Sequence, residues 1–344
     1  MAWAKRHQLV TPARLDLSTS AVSSPAIEDL GGIPRELPLT GNNAYGHPDL
    51  VRRIAGRYGI GDDRVLPLTG ASFGNFLVAA AVVQPGDRVA VEQPAYEPLL
   101  RVVEAAGGEI VRAPRRSMES GWAVDPREIR KASLVILTNL HNPSGAAMDA
   151  ATVKACAEKG ATLLVDEVYL DSAFRAKVEP AVTLAPNAVS TSSFTKSYGL
   201  GGLRAGWAAG PARLIQRMKE IRDSIDVLNS YPNDILSIQA WEKRDALLAR
   251  ARRRFEENWP VVEAWLKARP DWRCTPPAGG FVCFPRVPDG IDVPRLLERL
   301  DKEYGCAVTP GEFFGEPRHV RIGFGGDRKV LEEGLAAIAE ASNR

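Results

Sequence analysis

The chain has 344 residues, 45% of them hydrophobic and 25% charged, with a formal net charge of +2. This length suits two packed domains better than one simple core, and the balanced charge gives neither nucleic acid nor a membrane surface a reason to bind. Four cysteines (Cys156, Cys274, Cys283 and Cys306) without a CxxC pair argue against a zinc site or a disulfide framework, and for reduced thiols in a cytoplasmic protein.

The first residues, Met-Ala-Trp-Ala-Lys-Arg-His, have no apolar stretch behind their charges, so they are not expected to act as a signal peptide. Residues 1–34, rich in Ser, Thr, Pro and Gly, are expected to form an arm that packs on a smaller C-terminal domain. Residues 35–232 alternate short apolar runs with helical patterns. Val65–Leu68 leads into a helix over Phe73–Val83, itself far too short for a membrane span. Arg88–Val91 precedes a helix over Glu97–Ala106, and a short strand is expected at Glu109–Val111. Leu134–Thr138 precedes a helix over Ala150–Lys159. Strands follow at Ala161–Val165, Ala188–Ser190 and Ala205–Ala208. Apolar strands separated by helices predict a mainly parallel sheet between helical layers, an α/β fold. Beyond Gly210, helices are expected over Pro211–Leu228 and from about Asp234 to Lys267. Residues 233–344 then read as a connecting helix and a small α+β domain, with an antiparallel pair at Gly280–Phe284 and His319–Phe324.

Groups capable of chemistry collect just after these strands, where open α/β sheets bind ligands. Neither a dinucleotide fingerprint nor a P-loop lysine motif occurs. Gly70-Ala71-Ser72-Phe73-Gly74-Asn75 opens a helix, and its free N–H groups could hold an anion, although Ser72 would serve equally as an ordinary N-cap. Ser193, Lys196 and Arg204 could surround a phosphate, or be exposed loop residues. Asp166, at a buried strand end, needs a cationic or hydrogen-bonding partner. Asn142-Pro143-Ser144-Gly145 reads as a turn, and Tyr96 as either a core residue or a platform for a planar ring.

The order of these segments resembles the fold-type I, class I/II aminotransferase family from about Tyr45 to Phe324. Ser193-Phe194-Thr195-Lys196-Ser197-Tyr198-Gly199-Leu200-Gly201-Gly202-Leu203-Arg204-Ala205-Gly206 looks like that family's lysine signature throughout. Asn142-Pro143-Ser144-Gly145 and Asp166-Glu167-Val168-Tyr169 stand upstream at similar spacing. The resemblance implies pyridoxal 5′-phosphate (PLP) as cofactor, bound as a Schiff base to Lys196, with 35–232 as the PLP-binding domain. It implies that Asp166 pairs with the ring nitrogen, and that Asn142 and Tyr169 bond the phenolate oxygen. Tyr96 would stack on the ring, and Ala71, Ser72, Ser193 and Arg204 would bind the phosphate.

The same resemblance implies that Arg321 grips the substrate α-carboxylate, with Asn142 and Tyr96 nearby. Tyr45 would reach the neighbouring subunit's phosphate in a homodimer with shared active sites. His141 would either touch the cofactor or play a structural part, and Tyr231 would contribute a substrate contact. The implied reaction is ping-pong transfer of an α-amino group from an L-amino acid to a 2-oxo acid, with no metal. At Leu15–Ala21, serines and an alanine stand where the family often has a glycine that touches the substrate carboxylate. A β-lyase, decarboxylase or cyclase on the same scaffold is the alternative. A PLP-binding regulatory module would need a DNA-binding domain, for which residues 1–34 are too few.

Overall fold

A computed structural model describes residues 2–118 and 121–343. Eight strands build one central sheet: β1 (Val65–Leu68), β2 (Arg88–Gln93), β3 (Glu109–Met118), β4 (Gly121–Val124), β5 (Ala132–Thr138), β6 (Gly160–Asp166), β7 (Ala188–Ser193) and β8 (Gly206–Ala209). They lie side by side as β1-β8-β7-β6-β5-β2-β3-β4. The five strands from β7 to β3 run parallel to their neighbours. Toward the edges the sense reverses: β8 is antiparallel to β1 and β7, and β4 is antiparallel to β3.

Helices cover both faces, which is why the central strands are continuous apolar runs rather than alternating ones. One face packs against the helices Ala71–Val82, Glu97–Ala105 and Ala212–Arg222 through Leu77, Leu99 and Met218. The other meets Ala150–Ala157 through Val153 and Cys156. A separate core joins Phe255, Trp259, Phe281, Leu300, Phe324 and Ile338 to Leu15, Leu17 and Val22 of the N-terminal segment. Leu15–Asp16 pairs in parallel with Cys306–Ala307. Val282–Cys283 and Thr309–Pro310 both pair antiparallel with Val320–Gly323, so Arg321 sits on a central strand and not on an edge.

Three elements differ from the sequence expectation. β3 continues to Met118 rather than stopping at Val111. Its charged tail is tolerated because the wholly buried Arg115 pairs with the wholly buried Glu92 at 2.7 Å and also bonds the Thr138 and Trp122 carbonyls. The helix expected over Pro211–Leu228 ends at Arg222. There the chain turns around the Arg222 guanidinium, which donates to Pro67 O, Asn229 Oδ1 and Asp226 Oδ1. The long helix expected to run to Lys267 is two helices, Tyr231–Glu242 and Arg244–Lys267, parted at Lys243.

Glu167, one residue beyond β6, turns away from Asp166 into the structure. Its Oε1 accepts from Ala181 N at 2.6 Å, while Oε2 has no partner among the described residues. Burial pushes its carboxyl from the ordinary 4.5 up to about 8. The folded state therefore holds this proton more tightly than the unfolded chain. The resulting stabilisation is complete below the unfolded value and is lost as the pH rises through the folded one. Between pH 6 and pH 9 the protein should lose on the order of 2 kcal/mol that a Glu167→Gln variant keeps. Denaturant unfolding at both pH values checks this; equal losses in the two proteins would assign the pH dependence elsewhere.

Candidate active site

A cavity of about 280 Å³ lies at the C-terminal ends of β5, β6 and β7, beside the N-terminus of the helix Ala71–Val82. The topology places there the last residues of three parallel strands, Thr138, Asp166 and Ser193, all pointing toward one crevice. Lys196 lies three residues beyond β7. Its loop is held from behind by Tyr198, whose hydroxyl donates to Asp171, and Asp171 is ion-paired with Arg57. The Lys196 Nζ donates to Ser20 Oγ at 2.9 Å. Burial, then the nearby Arg321 charge, push its pKa down to about 8, against the pull of Asp166.

Asp166 is 6% exposed. Its Oδ2 accepts from Asn75 Nδ2 at 2.8 Å and its Oδ1 from Val168 N at 3.3 Å. Asn75 is oriented in turn by the Thr191 hydroxyl, which donates to its Oδ1 at 2.6 Å. Burial pushes the Asp166 carboxyl up, since its hydrogen-bond partners are neutral. A protonated ring nitrogen would supply the cation that this carboxylate lacks. Among the described residues the buried Tyr169 hydroxyl has no hydrogen-bond partner. Asn142 uses its Oδ1 on Arg321 Nη1 at 2.9 Å, which leaves its NH2 available. A phenolate oxygen would satisfy both groups.

The far end of the cavity has the chemistry of an anion site. Gly70, at φ 120°, caps a helix whose first turn presents Ala71 and Ser72. Arg204, itself at φ 50°, donates to Thr69 O at 3.2 Å. A Cβ on Gly70 would lie 2.9 Å from Arg204 Nη2, and one on Gly206 would lie 2.7 Å from the Gly70 backbone. Glycine at both positions lets the guanidinium close on the helix end. Ser193 completes this part of the lining. Aldehyde-reactive amine, carboxylate, orphaned phenol and anion cradle together fit PLP.

Arg321 enters from the other side of the cavity. Its Nη2 donates to Ser18 O at 2.8 Å and to Thr309 Oγ1 at 3.1 Å, while the buried Nε has no partner among the described residues. The segment that lacks the family's glycine thus meets Arg321 through its backbone carbonyl and meets Lys196 through the Ser20 hydroxyl. Tyr96 lines the same space, and burial, chiefly, raises its phenol to about 12.

Other expected contacts fall outside the cavity. His141 is fully buried between Ser144 Oγ (2.7 Å) and Pro94 O (3.0 Å), and burial pushes its pKa well below 6.5. It is a neutral structural group. Tyr45 donates to Asp223 Oδ2 at 2.8 Å and does not line the cavity of its own chain. Tyr231 packs against Gly41 and His47 instead of the cavity. The sequence reading missed Asn75, Thr138, Ser20 and Gln8, all of which bond to or line the site. Signals existed for Asn75, one amide in an otherwise apolar helix, for Thr138, which ends an apolar strand, and for Ser20, within Leu15–Ala21; Gln8 carried none.

A family model described as aminotransferase class I and II matches residues 40–338. Capreomycidine synthase of Streptomyces vinaceus is 33% identical, over 95% of this chain and 90% of that protein. Arginine–pyruvate transaminase AruH of Pseudomonas aeruginosa is 30% identical, over 88% and 83%. Among solved structures, a PLP-dependent aminotransferase from Streptococcus suis superimposes with a TM-score of 0.91 at 25% identity, covering 99% of this chain and 96% of that one. The PLP-dependent cyclase OrfR superimposes with a TM-score of 0.88 at 27% identity, covering 99% and 95%. Among the described residues no helix is long and apolar enough to cross a membrane. With its fold, its cavity and a match over most of its length in agreement, the chain belongs to the class I and II aminotransferase family and depends on PLP.

Proposed function

We propose that this protein transfers the α-amino group of an L-amino acid to a 2-oxo acid in two half-reactions, with Lys196 as the residue that holds PLP. The observation that carries this reading is the meeting of Lys196, Asp166 and Arg321 in one cavity, an amine, a partner for a ring nitrogen and a carboxylate fork. When bound, PLP supplies an aldehyde that condenses with amines and an electron sink for charge developing at the substrate Cα. Asp166, steadied by Asn75, would keep the ring nitrogen protonated. Asn142 and Tyr169 would bond its phenolate oxygen, Tyr96 would cover a ring face, and Ala71, Ser72, Ser193 and Arg204 would hold the phosphate.

Arg321 grips the α-carboxylate and so orients the Cα–H toward Lys196. Its fork is already aligned by Asn142, Ser18 and Thr309. With PLP bound, Lys196 Nζ would be the base that takes the substrate Cα proton, the cofactor supplying the electron sink. A pKa lowered to about 8 leaves a far larger neutral fraction of this amine near physiological pH than an ordinary lysine has. Arg321→Lys should weaken amino-acid binding by roughly 1.5–3 kcal/mol through loss of the planar fork, and should affect PLP retention far less. Titrating the loaded protein with amino acids measures both; undiminished affinity would put the carboxylate elsewhere.

A second reading is supported by the similarity to capreomycidine synthase and to the cyclase OrfR. On it, the Cα proton is removed but the amino group stays on the product. Product analysis after a single turnover separates the two. Transamination leaves pyridoxamine phosphate and a 2-oxo acid, whereas cyclisation or elimination regenerates PLP.

The active unit is proposed to be a homodimer. Leu39, 78% exposed, and Val227, 56% exposed, lie on the two segments joined by the Tyr45–Asp223 and Asn43–Asn229 hydrogen bonds. Ile225 and Leu228 are exposed on the same turn. Apolar side chains gathered around Tyr45 suit burial by a second copy, into which Tyr45 would reach. Unpaired cysteines suit a reducing cytoplasm.

A further inference from the structure

Gln8 is a cavity side chain that has no part in the chemistry above. Residues Arg6–Val10 form a π-helical turn, a geometry frequent at functional sites. Its position is set by Trp3, whose ring stacks on His7 at 4.3 Å and meets Phe313 edge-on at 5.7 Å. Gln8, on this turn, lines the cavity with Ser20, Tyr96 and Arg321.

The orientation of the Gln8 amide follows from where the neighbouring protons go. Asp16 Oδ1 accepts from the Ser18 backbone N–H at 2.8 Å and from the Ser18 hydroxyl at 2.6 Å. A hydroxyl has one proton, and this one is committed to the carboxylate. Ser18 Oγ can therefore only accept, and its donor is Gln8 Nε2 at 3.1 Å. The amide nitrogen is held by Ser18, and Oε1 has no protein partner among the described residues. Gln8 thus offers a ligand its unpartnered acceptor, Oε1, beside the second of its two Nε2 protons. The cations on the cavity wall are Lys196, Arg204 and Arg321, and each already has a task. Within one subunit none is left for a second carboxylate.

We propose that Gln8 is a specificity-determining residue. Its Oε1 accepts a hydrogen bond from the end of the substrate side chain, so that the preferred amino acids carry a terminal amide or guanidinium group in place of a carboxylate. A carboxylate there could use only that remaining N–H, would leave Oε1 unpaired and would find no counter-charge, whereas a terminal amide or guanidinium donates to Oε1. This inference rests on the α-amino-acid reading given above.

The test is calorimetric binding to Lys196→Ala protein loaded with PLP, which separates affinity from turnover. L-Glutamine, L-arginine, L-glutamate and L-alanine are compared. Glutamine or arginine should bind at least about fivefold tighter than glutamate, the worth of a modest hydrogen bond. Gln8→Leu, similar in size but without the acceptor, should bring that ratio to within about twofold. Gln8→Glu, which keeps an acceptor and adds charge, should instead widen the preference for arginine over glutamate. Glutamate binding as tightly as glutamine, or a Gln8→Leu protein that keeps the preference, overturns the inference. Alanine, which has no side-chain donor, reports the amino-acid reading by itself: absence of binding by all four overturns that reading and the inference together, while alanine binding without discrimination overturns the inference alone.

Discussion

Replacing Lys196 by alanine should end turnover, with a loss of roughly 10²–10⁴-fold or more, the usual contribution of a positioned general base. No nearby group takes over the task. Ser20 is the immediate neighbour of Nζ, at 2.9 Å, but a hydroxyl is a far weaker base than an amine whose pKa lies near 8. Tyr169 and Tyr96 keep their phenol protons still more tightly, because burial raises both. Steady-state assays with an accepted amino acid would measure the loss, and turnover within tenfold of the parent would mean that another base serves Cα. The same variant examines the dimer. A Lys196→Ala subunit has a dead site but an intact Tyr45, and a Tyr45→Ala subunit has the reverse. If Tyr45 acts across a two-fold axis, exchanging the two should restore one sound site in about half of the dimers, hence activity toward about a quarter of the parent's. Verified exchange without recovery would keep Tyr45 out of the partner's site.

The second large effect is expected at Asp166. Asp166→Asn preserves shape and keeps an oxygen for one of the two donors, Asn75 or Val168. The charge that would keep a ring nitrogen protonated is gone, and an amide cannot replace it. Losing a preorganised charge partner at a buried position should cost several kcal/mol of barrier, about 10²–10³-fold or more in Cα proton removal. Binding of the phosphate end should persist, since Ser72, Ser193 and Arg204 lie at the other end of the cavity. Single-turnover rates with a substrate deuterated at Cα isolate this step. A rate near the parent's would show that Asp166 is not the partner of the ring nitrogen.

The groups at the strand ends were legible in the sequence for a physical reason. A parallel strand buried on both faces is a run of apolar residues, and the first polar residue after it marks the crevice. That reasoning reached Asp166, Ser193 and, through the following turns, Asn142 and Lys196. Proline and small residues around Asn142 and the contiguous lysine segment added local signals. The sheet order and the reversal of β8 were not legible, because β8 is a short apolar run like any other. Nor was β4, whose Trp122 gains its burial against Phe284 and Phe314 from distant parts of the chain. Charged residues hid the length of β3, since Arg115 is bearable inside only once Glu92 is seen beside it. Ser20 and Gln8 lie more than 170 residues before Lys196, and only tertiary folding brings them to one cavity. Tyr45 and Tyr231 show the converse. The motifs around them were readable, yet within one subunit neither faces the site.

The central claim is that Lys196, in the cavity between Asp166 and Arg321, carries the cofactor. Borohydride reduction of the PLP-loaded protein, followed by proteolysis and mass spectrometry, tests it most directly. Reduction should fix one pyridoxyl group per chain, on the peptide containing Lys196, and prior incubation with an accepted amino acid should diminish that labelling by displacing the lysine. A pyridoxyl group fixed on a different lysine, or none fixed on a protein that still turns over amino acids, would contradict the account.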